Sequence, residues 1–141
     1  MSGIVISGLR HPLNGTVTLS GAKNSALIVL AATVLAREEV ILDNIPLGMQ
    51  DVHVKLQMLR AIGADVTEDP PGRVRIKWPS GGPQSDVPFR FGSVRTSLLF
   101  LGALLARTGH ASVPLPGGCQ LGERKHDLHL MALQRLGFLQ E

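Results

Sequence analysis

The sequence contains one cysteine, one tryptophan and no tyrosine among 141 residues. A single cysteine excludes an internal disulfide framework and a cysteine-rich zinc site. Aromatic residues make up only 4% of the chain, too few for the stacking platforms of a single-strand nucleic-acid binder. No run of four basic residues occurs, and 14 Lys+Arg against 11 Asp+Glu leave a formal charge of +3. That scattered excess suits a small anionic ligand at least as well as a nucleic acid, and no nucleic-acid partner is expected. The longest apolar run, Ala26 to Ala36, is eleven residues including Thr33, too short to cross a bilayer. The start, Met1-Ser2-Gly3-Ile4, lacks a basic stretch followed by an apolar one, so a cytoplasmic protein is the expectation. Neither a GxxxxGK[ST] nor a GxGxxG pattern is present.

What is present is a core-forming composition: 44% hydrophobic and 18% charged residues, in a length that suits one domain. Ile4–Leu9 is β-rich and leads to Asn14-Gly15, a hairpin turn signal. Thr16–Ser20 alternates with period two and reads as a strand. An apolar helix follows from Gly21 to about Ala36, then a strand from Val40 to Ile45, stopped by Pro46. Gln50-Asp51 opens a helix whose Val52, Leu56, Leu59 and Ile62 share one face, with Gly63 as its C-terminal cap. Ala64–Glu68 and Arg73–Trp78 read as strands around the reverse turn Asp69-Pro70-Pro71-Gly72.

After a Gly/Pro/Ser loop over 79–88 the order recurs: an apolar helix Ser93–Arg107, a strand Ala111–Leu115 stopped by Pro116, and an amphipathic helix Arg124–Leu136 capped by Gly137. Leu35-Ala36-Arg37 matches Leu105-Ala106-Arg107 and Ile45-Pro46 matches Leu115-Pro116, both at an offset of 70; Leu56, Leu59, Ile62 and Gly63 match Leu130, Leu133, Leu136 and Gly137 at 74. The expectation is an α/β chain of repeated units that share a core. Residues 1–21 form lead-in strands, 22–80 a first unit, and 81–141 a second, truncated before its hairpin.

Several residues could carry chemistry. Cys119 lies among Gly117, Gly118 and Gly122 and is followed by Arg124, Lys125 and His126. Glycines add freedom without cover, and cations favour the thiolate, so Cys119 is either an acid or nucleophile or a structural thiol. Lys23 and Asn24 stand where Ser20-Gly21-Ala22 turns into a helix, a place where free backbone N–H groups and a lysine can meet an anion. An exposed Lys beside a cap is the alternative. Arg95 opens the second apolar helix, against the helix dipole, which an anionic ligand would explain; a plain surface arginine is the alternative. Asp127 and His129 are two apart and do not share a helix face, so no metal site is expected. Asp51-Val52-His53 holds the equivalent place in the first unit, which makes part of that pattern architectural.

Ser20-Gly21-Ala22-Lys23-Asn24 and Leu115-Pro116-Gly117-Gly118-Cys119, with Gly122, Arg124 and Asp127-Leu128-His129, resemble the UDP-N-acetylglucosamine 1-carboxyvinyltransferases (UDP-N-acetylglucosamine enolpyruvyl transferases) from Gly8 to Gly137. The resemblance implies an inside-out barrel of βαβαββ units, of which this chain has about two of the three in one domain. It implies a peptidoglycan-synthesis reaction that moves enolpyruvate from phosphoenolpyruvate to the 3-hydroxyl of UDP-N-acetylglucosamine, with no cofactor. By position, Cys119 becomes the general acid toward the enolpyruvyl methylene and the residue that fosfomycin alkylates. Lys23 and Arg124 become phosphoenolpyruvate-binding, with Lys23 also catalytic. Asn24 falls between phosphoenolpyruvate and sugar, Arg95 contacts the nucleotide sugar, and the run Arg124, Lys125, His126, Asp127 and Leu128 lies along the UDP moiety. Two positions depart from the family: Gly92 replaces a frequent basic residue, and Lys125 a common proline. Members of the family are several times longer, so this chain is expected to be inactive alone and to need a complementing chain or its own copies. A non-catalytic nucleotide-sugar-binding or regulatory module, and a shikimate-type relative, are the competing readings; Cys119 and Gly21-Ala22-Lys23-Asn24 argue against the latter.

Overall fold

A computed structural model describes residues 3–8, 12–91, 95–115 and 126–139. The apolar run over 26–36 is helical because its alanines and leucines favour a helix and nothing breaks it. It forms α1 (Lys23–Ala32) and tightens into a 3₁₀ turn, Thr33–Leu35. Strand β1 (Val40–Leu42) follows, then α2 (Gln50–Ala61), β2 (Asp65–Asp69) and β3 (Arg73–Lys77). The sheet order is β1-β3-β2 with both neighbours antiparallel to β3, and the registers are Ile41 opposite Arg75 and Thr67 opposite Arg75. The turn expected at Asp69–Gly72 joins β2 to β3.

Helices α1 and α2 pack on each other, and α3 (Leu99–Thr108) packs against α1. Val52, Leu56 and Leu59 of α2, with Ile62 just past its end, are fully buried, as their spacing predicts, and meet Leu27, Leu30 and Val34 together with Val74 and Ile76 of β3. Polar ties fix the layers. Trp78 Nε1 donates to the Thr33 carbonyl at 2.8 Å, pinning the end of β3 to the end of α1. Arg60 Nη2 bonds the Val66 carbonyl at 2.9 Å and Glu68 at 2.8 Å, holding α2 on β2.

The second half departs from its expected outline. The apolar helix starts as a 3₁₀ turn at Arg95–Leu98 before α3, and the last helix, α4, covers Asp127–Arg135. The strand expected over Ala111–Leu115 shrinks to one bridge, Ser112 to Asp86, because no strand with a free edge lies beside it among the described residues. The lead-in strands are also not formed: residues 3–8 and 12–20 pair with nothing among the described residues. Their apolar residues stay in water, Val5 at 93% and Val17 at 83% exposure, because alternation makes a strand only where a partner supplies the ladder. Helix α4 likewise buries no residue.

Two helix ends close in the same way. Gly63 (φ 102°) donates to Arg60 and Ala64 to Leu59; Gly137 (φ 94°) donates to Gln134 and Phe138 to Leu133. The same left-handed cap thus closes α2 and α4 at the offset of 74 read from the sequence. No helix among the described residues is long and apolar enough to cross a membrane.

Candidate functional site

The lead-in to α1 is unusually close to the loop after β1. A side-chain carbon at position 21 would run into the Asn44 backbone carbonyl. Only glycine allows this approach. The Gly21 N–H donates to Asn44 Oδ1 at 3.0 Å, and Asn44 adopts a left-handed backbone, φ 61°. Asparagine tolerates that conformation better than most residues.

With the lead-in fixed, Ala22 caps α1 through its extended backbone and offers no side-chain acceptor. The first N–H groups of α1 are therefore left for solvent or a ligand. Lys23 and Asn24 occupy this first turn, both exposed. A lysine here opposes the helix dipole. Asp51 offsets it: Lys23 Nζ lies 2.7 Å from Asp51 Oδ2. Asp51 itself sits in the first turn of α2, where a carboxylate is favoured. The starts of two helices therefore converge on one ion pair, with both side chains nearly half exposed. Asp51 was visible in the sequence as a helix start and as the counterpart of Asp127; no local pattern links it to Lys23.

The remaining site residues divide. Arg95 heads the 3₁₀ turn before α3. Ser97 is buried in that turn and its Oγ donates to the Pro114 carbonyl at 3.0 Å, tying the start of α3 to the segment before Cys119. His126 is the backbone cap of α4; Asp127 and Leu128 lie exposed in its first turn. Cys119, Arg124 and Lys125 lie outside the described residues. Among the described residues, no hydrogen bond or ion pair joins α4 to Lys23 or Asn24.

Sequence reasoning missed Lys55. It lies on the buried face of α2, fully covered, with Nζ 4.0 Å above the centre of the Phe100 ring of α3. Burial lowers its pKa to about 7. The signal was positional: Lys55 is three residues after Val52 and four before Leu59, inside the apolar stripe.

What the Lys23–Asp51 pair can do follows from its exposure. An exposed pair contributes at most about 1 kcal/mol to stability. A double-mutant cycle with Lys23→Ala and Asp51→Asn should therefore show a coupling below about 1 kcal/mol in urea unfolding. A larger value would mean that the pair is a structural clamp. A weakly coupled pair leaves Lys23 oriented yet available to an incoming anion.

Known proteins share this sequence over most of its length. The EPSP synthase (3-phosphoshikimate 1-carboxyvinyltransferase) family matches residues 9–139. The UDP-N-acetylglucosamine 1-carboxyvinyltransferase of Methylacidiphilum infernorum is 44% identical over 138 residues, which are 97% of this chain and 32% of that protein. The protein of the same name from Lawsonia intracellularis is 38% identical over 138 residues, again 97% and 32%. That from Shewanella denitrificans is 44% identical over 127 residues, 89% and 30%. Among solved structures, the enolpyruvyl transferase NikO from Streptomyces tendae superposes with a TM-score of 0.59 at 29% identity, over 69% of this chain and 22% of that one. The chain spans about a third of the length of the curated relatives it matches. A match that runs through both helix starts and almost from end to end places this chain in the EPSP synthase family of carboxyvinyltransferases.

Proposed function

We propose that this chain forms one wall of an active site that transfers enolpyruvate from phosphoenolpyruvate to the 3-hydroxyl of UDP-N-acetylglucosamine, in peptidoglycan synthesis in the cytoplasm. The observation that carries this reading is Lys23, oriented by Asp51 at the convergence of two helix starts, within a sequence 38–44% identical to proteins named for that reaction. In this reading a base on the facing wall takes the proton of the sugar 3-hydroxyl as its oxygen adds to C2 of phosphoenolpyruvate, while the Cys119 thiol gives its proton to the methylene carbon. Loss of a proton from the resulting methyl group then expels phosphate and restores the double bond. Lys23 and Arg124 bind phosphoenolpyruvate, and Asn24 lies between the two substrates. Arg95 contacts the nucleotide sugar, and Lys125 to Leu128 follow the UDP moiety. Both substrates are polyanions, which cations and helix-start N–H groups suit.

The same reading assigns residues 22–80 and 81–141 to successive units of an inside-out barrel, with 1–21 leading in. The twin caps at Gly63 and Gly137 support it. In this reading the other wall of the cleft, and the cover for Val5, Val17 and α4, correspond to the two thirds of the relatives' length that these 141 residues do not match. A cleft with one wall cannot exclude water or orient both substrates, so no turnover is expected from this chain alone.

The test is intact-mass spectrometry of the 141-residue chain after fosfomycin, with and without UDP-N-acetylglucosamine. One adduct, on Cys119, should form faster with the nucleotide sugar, and Lys23→Ala should slow it about tenfold, the effect of one lost charge-assisted contact. An adduct rate indifferent to both the nucleotide sugar and Lys23 would remove the basis for the proposed site.

A further inference from the structure

We infer that Asn44 is a positioning residue for Lys23: it sets the lead-in to α1 and the approach to α2 at once, and so places Lys23 against Asp51. This inference rests on the reading of Lys23 as an anion-binding residue. Asn44 is exposed, far from Lys23 in sequence, and carries no chemistry of its own. Its place in the fold is what matters. On one side its Oδ1 accepts the Gly21 N–H at 3.0 Å, and its backbone carbonyl fills the space where a side chain at position 21 would stand. Gly21 is two residues before Lys23. On the other side a short chain of bonds leads to Asp51. Leu47 N–H donates to the Ile45 carbonyl at 2.8 Å, and Met49 N–H to the Pro46 carbonyl at 3.1 Å. Met49 is the backbone cap of α2.

Asn44 itself is held from both flanks. Asp43 Oδ1 accepts from Arg73 Nε at 2.6 Å, and the Arg73 guanidinium keeps the Asp43 carboxyl below the usual carboxylate range. Ile45 N–H donates to the Gly72 carbonyl at 2.8 Å, and a Cβ on Gly72 would sit 2.9 Å from the Ile45 carbonyl oxygen. The β2–β3 turn is therefore the anvil, and Asn44 the only side chain that reaches from it to the start of α1 among the described hydrogen bonds. Glycine at position 44 would keep the left-handed backbone without strain and delete the acceptor; aspartate would keep both.

The test uses the full chain with ¹⁵N-glycine and ¹³C-methylated lysines, read by NMR, with phosphoenolpyruvate as the titrant. Asn44→Gly should raise Gly21 amide exchange and move the Lys23 signal toward its position in Asp51→Asn. It should weaken phosphoenolpyruvate binding about fivefold, the equivalent of one net hydrogen bond. Asn44→Asp should restore the Gly21 protection and the Lys23 signal, a rescue that loss of general stability would not produce. An Asn44→Gly variant whose Lys23 signal is unchanged overturns the inference, as does an Asn44→Asp variant that rescues nothing. If Asn44→Gly does not fold, the wild type decides: a Gly21 amide exchanging at the unfolded-chain rate overturns it, and a protected one that Asn44→Asp retains supports it. If the wild type does not bind phosphoenolpyruvate, the functional reading fails for this chain, while the Gly21 and Lys23 signals still decide the role of Asn44.

Discussion

Stability toward urea should rise between pH 7 and pH 10, and Lys55→Met should remove most of that rise. The cause is the buried ammonium. In the unfolded chain Lys55 titrates near 10.5; burial lowers this to about 7 in the folded chain. Between those values the unfolded state holds a proton that the folded state has given up. Unfolding is then linked to proton uptake, so stability increases with pH across that window. Below pH 7 both states are charged and the dependence on this residue flattens. A depression of this size is worth about 5 kcal/mol over the full span, at about 1.4 kcal/mol for each pH unit. The Phe100 ring 4.0 Å from Nζ recovers some of that when the lysine is protonated. Methionine has a similar reach, no charge and a favourable contact with an aromatic ring. Lys55→Met should therefore exceed the wild type most clearly near pH 6, with the two converging near pH 10. Other groups titrate in this range too, so the decisive quantity is the difference between the two proteins. Parallel pH curves would mean that Lys55 keeps an ordinary lysine pKa in the folded chain.

Lys55 also shows how sequence patterns lose information. The stripe Val52, Leu56, Leu59 and Ile62 was legible because all four are apolar at helical spacing, and all four are buried. Lys55 shares the stripe, yet a binary pattern writes lysine as polar and therefore outside. Its four-carbon stem lets it pack like an apolar residue, which only the surrounding helices reveal. Thr16–Ser20 failed in the opposite direction. Its alternation is genuine, but a strand is a property of a pair, and no described neighbour completes one. The site divides in the same way. Lys23 and Asn24 were legible as residue types at the start of a helix. Asp51, 28 residues further on, became Lys23's partner only through the packing of α1 on α2. Asn44 was invisible as a functional residue, because the sequence offers it only as the last polar residue before Ile45-Pro46.

Gly21→Ala and Gly102→Ala should move stability in opposite directions, although each adds a single methyl group. At Gly21 the new carbon collides with the Asn44 carbonyl oxygen and lies 3.2 Å from its carbonyl carbon and 3.6 Å from Pro46 Cδ. Two of these atoms are backbone, and that backbone is already fixed by the Asp43–Arg73 and Ile45–Gly72 contacts. Neither neighbour can rotate away, so the lead-in to α1 must move, and the Gly21–Asn44 hydrogen bond goes with it. Overpacking against backbone together with one lost hydrogen bond should cost about 2–4 kcal/mol. Gly102 lies inside α3 at an ordinary helical φ, and a methyl group there would meet nothing within 4 Å. Alanine at this position reduces the freedom of the unfolded chain and should stabilise by about 0.5–1 kcal/mol. Thermal or urea unfolding of both variants separates the effects. The contrast also bears on function, because a shift of the lead-in displaces Lys23 from Asp51 while the core of α2 and β3 stays intact. Gly21→Ala should therefore lose phosphoenolpyruvate binding under conditions where it is still folded, and Gly102→Ala should keep it. Equal binding by the two folded variants would show that the close approach at Gly21 serves packing alone.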